Sequence, residues 1–84
     1  MKNKILIRVI VPYVQEEYEI FIPVNERISK VKKLIINTLM DITENAINKE
    51  KKYCLIDSDG GGMYQGNQIV RDTNIINAKS VILF

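Results

Sequence analysis

The stretch "IDSDGGGMYQG" at residues 56–66 holds the residue types with the plainest claim to chemistry. Asp57-x-Asp59-Gly60 has the opening of a calcium loop, and Gly60-Gly61-Gly62 has the composition of a backbone cradle for phosphate. An EF-hand loop needs an oxygen ligand at its fifth position and a glutamate at its twelfth. Counted from Asp57, those positions hold Gly61 and Gln68. A phosphate loop needs Lys-Ser or Lys-Thr opening a helix, where this chain has Met63-Tyr64-Gln65. What remains is a connection between strands, in which glycine enters positive φ at little cost. The two carboxylates are available to a partner, but the stretch reads as a turn and not as a site. No metal, nucleotide or other cofactor is expected.

The rest of the inventory argues against catalysis. The chain has no histidine, which removes the commonest general base, the Ser-His and Cys-His nucleophile pairs and most metal sites together. Cys54 lies within an apolar run with no activating neighbour in sequence, so it is expected to be a structural, partly buried thiol. Glu16, Glu17 and Glu19 read as a solvated strand face. Lys30, Lys32 and Lys33, with Lys49, Lys51 and Lys52 further on, read as the wet side of a helix and its exit. A net charge of +2 is too small to imply nucleic acid. An enzyme is therefore not expected.

A sequence of 84 residues leaves room for one domain, spanning 1–84, and a chain of this size buries roughly 60–65% of the surface its unfolded form exposes. With 46% hydrophobic residues rich in Ile, Leu and Val, it should fold alone. The opening "MKNKILIRVIVPYV" imitates a signal peptide, but Arg8 breaks its apolar run, Pro12 follows, and no small-residue cleavage site is present. No segment approaches the ~18 apolar residues of a membrane-spanning helix. A lone cysteine excludes an internal disulfide and suits a reducing compartment. The expected location is the cytoplasm, without membrane insertion.

The elements that must carry any function follow from periodicity. "KILIRVIV" reads as a strand that sends Leu6, Arg8 and Ile10 to one face and Ile5, Ile7 and Val9 to the other. After the turn "PYVQEE", "YEIFIPV" alternates Tyr18, Ile20, Ile22 and Val24 against Glu17, Glu19 and Phe21. Pro23 cannot donate to a ladder and places this strand at a sheet edge or at its own end. From Asn25 the period changes: Ile28, Val31, Ile35, Leu39 and Ile42 form one helical stripe, widened by Leu34, Ile36 and Met40. Asn25 or Ser29 can supply the N-cap oxygen, with Glu26 near the positive end of the helix. "TENAINKEKK" is expected to hold a short helical turn. "YCLI" is a short strand, Met63-Tyr64 a weak strand or arm, "DTNI" a tight turn and "KSVILF" the final strand.

"PVNERISKVKKLI", followed by "RDTNIINAKSVILF", resembles the ubiquitin-like β-grasp fold. Ile28, Val31 and Ile35 match its helix stripe, and Asp72-x-Asn74-Ile75 precedes its last apolar strand. Within that superfamily "YEIFIPV", "LIINTLMDI" and "GNQIVRDTNIINAKSVILF" are similar to the YukD/EsaB family, small accessory proteins of the Gram-positive type VII secretion system. The likeness covers about residues 5–84 and rests on apolar patterns that carry fold. It implies an α+β architecture, a mixed four- to five-stranded sheet packed on one long helix. The sequence ends at Phe84 without the terminal Gly-Gly of ubiquitin, so conjugation and sulfur-carrier chemistry are not expected. The YukD/EsaB family shares this ending, which points to a non-covalent adaptor.

In a sheet of that type the first strand pairs with the last, and the last with the third. If Ile5, Ile7, Val9, Leu55, Val81 and Leu83 face the helix, then Leu6, Arg8, Ile10, Ile56, Ile82 and Phe84, with Cys54, share the opposite face. One helix cannot cover both sides, and that face is more apolar than a monomer normally shows to water. The expectation is a docking face for a protein partner, a membrane component or ATPase of the secretion machinery, at the face ubiquitin uses for non-covalent partners. A homodimer, or a cap formed by "TENAINKEKK", would use the same face. A stand-alone ubiquitin-like interaction module of another cytoplasmic machine is the alternative function.

Overall fold

The computed structural model describes residues 3–44, 47 and 51–84. Strand β1 (Lys4–Val11) pairs antiparallel with β2 (Glu16–Pro23), so that Ile5 faces Ile22, Ile7 faces Ile20 and Val9 faces Tyr18. A 3-10 turn over Pro12–Val14 joins them, and Gln15 closes it in the left-handed region with its N–H 3.1 Å from the Pro12 carbonyl. Pro12 suits the first turn position because its φ is already set and the missing N–H is not needed there. Helix α1 (Ile28–Ile42) follows, then the short strand β3 (Leu55–Asp57) and finally β4 (Ser80–Leu83).

The strand order is β2-β1-β4-β3, with β4 parallel to β1 and antiparallel to β3. This is a mixed four-stranded sheet with one long helix against one face. Met63 adds a single antiparallel bridge to Ile56 in place of a fifth strand. Among the described residues the core holds no buried charged side chain, and Tyr53 brings a buried hydroxyl into it: Ile7, Val9, Ile20, Ile22, Leu55, Val81 and Leu83 meet Ile28, Val31, Ile35 and Leu39. Burying each such aliphatic side chain contributes about 1.5–3 kcal/mol. Every inside–outside assignment expected for β1 and β2 holds, because alternation along a strand leaves no other way to bury the β-branched set.

Four local expectations fail. Neither Asn25 nor Ser29 caps α1; the N-cap is Arg27, without a side-chain cap. Instead the Ile28 N–H donates to the Gln68 carbonyl at 2.8 Å and the Ser29 N–H to the Gly66 carbonyl at 3.0 Å. A distant loop thus satisfies donors that a local side chain would otherwise serve. Asn25 accepts from Arg71 instead. Ile42 is 56% exposed although it lies on the stripe angle, while Ile47 is buried. Direction is correct but the stripe outruns the layer beneath it. Cys54 is exposed rather than partly buried, since it alternates with buried Tyr53 and Leu55 onto the face away from the helix. Finally, of the two turn carboxylates expected to be available to a partner, Asp57 is shielded by Lys79, while Asp59 also meets Lys79 but stays 82% exposed. The helical turn expected within 43–52 falls on positions 45–46 and 48–50, outside the described residues.

Candidate protein-docking face

The strand registers define rows of side chains across the face that α1 leaves bare. One row runs Glu17, Ile10, Ile82, Ile56 from β2 through β1 and β4 to β3, and Met63 extends it by its bridge to Ile56. The next runs Glu19, Arg8, Ser80. Beyond it Leu6 faces Phe21. Ile10, Ile56 and Ile82 are half-buried, and Phe84, two residues past Ile82 on the same side, is 60% exposed. The Phe84 N–H donates to the Cys54 carbonyl at 3.0 Å, which continues the β3–β4 ladder and fixes where the ring starts.

Five of the six expected residues therefore form one neighbourhood: the isoleucine row, with Arg8 on one side of it and Phe84 on the other. Leu6 does not join them. Arg8 lies between it and the isoleucines, and its neighbours are Phe21 and the loop entering β4, where its N–H meets Asn77 Oδ1 at 2.9 Å and its carbonyl accepts from Ala78. Arg8 Nε lies 3.8 Å from Glu17 Oε2, a loose and exposed pair beyond hydrogen-bond distance. Exposed Phe21, Met63 and Tyr13 were not among the expected residues. The alternation of β2 had put Phe21 on this face, while Met63 and Tyr13 sit in connections that give no periodic signal.

At the β3 edge stands a polar cluster. Lys79 Nζ lies 2.8 Å from Asp57 Oδ1 and 2.7 Å from Asp59 Oδ2. Asn74 Nδ2 donates to Asp57 Oδ2 at 2.6 Å, the Tyr64 hydroxyl donates to Asn74 Oδ1 at 2.6 Å, and the Asp59 N–H donates to Asp57 Oδ1 at 2.9 Å. Only 14% of the Asp57 side chain and 11% of the Lys79 side chain are exposed. The Lys79 ammonium, followed by Asn74 and the Asp59 N–H, holds the Asp57 carboxyl well below the usual carboxylate range. Asp57 and then Asp59 hold Lys79 above the usual lysine range. Burial, and then the Asp57 charge, pushes the Tyr64 phenol up. Each shift favours the group's ordinary protonation state: carboxylate for Asp57, ammonium for Lys79 and neutral phenol for Tyr64. The cluster is a latch on the turn. Gly61, at φ 71, makes that turn possible and donates to the Asp57 carbonyl at 2.8 Å.

Among the described residues no group of three His, Cys, Asp or Glu side chains is placed to hold a metal ion, and no helix is long and apolar enough to cross a membrane.

No family model and no curated protein matches the sequence. Solved structures do match the fold. The ubiquitin-like domain of the Mycobacterium tuberculosis type VII secretion protein EccD1 superposes with a TM-score of 0.75 at 8% identity, over 95% of this chain and 96% of that one. A chain of the ESX-5 inner membrane complex gives 0.74 at 10% identity, over 98% of this chain but 21% of its own. A molecular mimic of SUMO in DNA repair gives 0.69 at 20% identity, over 98% and 91%. With its antiparallel hairpin, crossover helix and parallel central β1–β4 pair, the chain adopts the ubiquitin-like β-grasp fold.

Proposed function

We propose that this protein is an adaptor or regulator of a type VII (ESX/WXG) secretion system, of the YukD/EsaB kind, acting in the cytoplasm of a Gram-positive bacterium by non-covalent binding. The observation that carries the reading is the half-buried apolar row Ile10–Ile82–Ile56 on the sheet face opposite α1, flanked by Arg8 and Phe84, on a fold similar to a type VII ubiquitin-like domain. A half-buried apolar strip with a charge at its rim is the composition of a docking surface: apolar centre for affinity, charge for orientation. The partner on this reading is a membrane component or ATPase of the machinery, and 1–84 acts as one domain. Likeness to an ESX-5 inner membrane complex supports a membrane-side partner. The protein, tagged and expressed in its host, should co-purify with the FtsK/SpoIIIE-type ATPase or a membrane subunit of that system from detergent-solubilised membranes. Deletion of its gene should change export of the small WXG substrates. Unchanged export together with no recovery of either component would refute the reading.

A second reading, a stand-alone interaction module of another cytoplasmic machine, is supported by the likeness to the SUMO mimic over nearly the full length of both chains. Genes for the ATPase and WXG proteins beside this one would favour the first reading, and their absence the second.

A further inference from the structure

The most exposed aromatic side chains gather at one end of the sheet, where β1 enters its turn and β4 runs out. Tyr13 is 67% exposed and Phe84 60%. An open groove of about 300 Å³ lies there, lined by Pro12, Tyr13, Lys51, Tyr53, Leu83 and Phe84. Lys51 Nζ stands 5.3 Å from the centroid of the Tyr13 ring, 5.2 Å from that of Tyr53 and 5.9 Å from that of Phe84. All three lie within the ~6 Å over which a ring face attracts a cation. Among the described residues the ion pairs involve Arg8, Lys30 and Lys79, and none involves Lys51. Ring faces balance part of the charge but accept no ordinary hydrogen bond from the ammonium. Tyr53 is 3% exposed, and its hydroxyl has no hydrogen-bond partner among the described residues. A buried polar atom left so is uncommon and costly.

We propose that this groove takes an acidic segment of a partner protein, with one apolar side chain seated against Tyr13 and Phe84 and an adjacent carboxylate on Lys51 Nζ. The charge selects the occupant. A basic segment would be repelled, and a neutral apolar one would strip water from the ammonium without replacing its hydrogen bonds. The carboxylate supplies both a counter-charge and acceptors. Both walls are already set: Pro12 and the left-handed Gln15 fix the Tyr13 turn, and the Phe84–Cys54 hydrogen bond fixes the other side. Binding therefore orders little of the protein. The inference does not depend on the secretion reading, because the groove shares only Phe84 with the docking row.

The test is an amide chemical-shift titration of the whole protein with two blocked pentapeptides, Ser-Asp-Leu-Phe-Ser and its Asn twin. The Asp peptide should shift the amides of Tyr13, Lys51, Tyr53 and Phe84. The Asn twin should bind about two- to fivefold more weakly, the factor for one exposed charge pair. Lys51→Gln should erase the difference between the twins while circular dichroism stays that of the wild type and both peptides still shift Tyr13 and Phe84, which separates a docking role from a structural one. Equal binding of both peptides to the wild type would overturn the proposal, as would no shift at millimolar peptide. Shifts confined to Ile10, Ile56 and Ile82 would also overturn it, while leaving the docking row as the binding face. Shifts in the groove that grow with protein concentration alone would make a second copy the occupant and defeat it.

Discussion

Lys79 Nζ lies 2.8 Å from Asp57 Oδ1, and this contact ties the glycine turn after β3 to the loop that enters β4. The pair is shielded on both sides, so its effect on stability should be visible as pH dependence. The folded Asp57 titrates below its ordinary value of 3.8. Its contribution is therefore complete above that value and is lost as pH falls through the folded pKa. Urea midpoints should drop steeply below about pH 4 in the wild type. Asp57→Asn should be less stable than the wild type at pH 7 and show a flatter acid limb. An unchanged acid limb in the variant would assign the pH dependence to other carboxylates. At the alkaline end the raised Lys79 acts in reverse: its contribution is complete below the ordinary lysine value and is lost as pH rises through the folded one.

The helix stripe should divide sharply at its last turn. Val31 and Ile35 are fully buried, and truncating either to alanine should cost about 1–4 kcal/mol. Ile42→Ala and Lys33→Ala should lie within about 0.5 kcal/mol of the wild type, since both side chains are exposed. Chemical denaturation of the four variants checks this. A loss at Ile42 equal to that at Ile35 would mean that a partner or a second copy covers the end of the helix in solution.

On the outer face, Ile56→Glu and Phe84→Glu should leave circular dichroism close to wild type, because neither side chain points toward α1. Both should abolish recovery of the partner, as a buried unpaired charge at the centre of an interface is costly. Arg8→Ala should weaken binding less and lower its salt dependence, as fits a rim charge. Pull-downs at two ionic strengths separate the cases. Folded variants that still recover the same partner would move the docking surface elsewhere.

Cys54 offers a chemical footprint of the same face. Exposed and beside Phe84, it should react with iodoacetamide in the folded protein at a rate near that of the unfolded chain. Bound partner should slow the reaction at least severalfold, read by mass spectrometry over time. A thiol that stays unreactive in the free folded protein would place it in a homodimer interface.

Much of the fold follows from local pattern. A strand that must bury one face can do so in only one phase, so "KILIRVIV" and "YEIFIPV" specify Ile7, Val9, Ile20 and Ile22 as core and Leu6, Arg8, Ile10 and Phe21 as outer face. Ile28, Val31, Ile35 and Leu39 specify a helix and its buried side in the same way. The tertiary structure alone decided everything that depends on residues distant in the chain. The start of α1 is set by the carbonyls of Gly66 and Gln68, the Asp57 carboxylate of the glycine turn is shielded by Lys79, and the Leu6 backbone is engaged by Asn77 and Ala78. The groove at Lys51 draws on three separate segments of the chain. Periodicity reports which way a side chain points, because that is a property of its own backbone. What the side chain meets there depends on how far the facing element extends, which is why Ile42 keeps its direction and loses its cover.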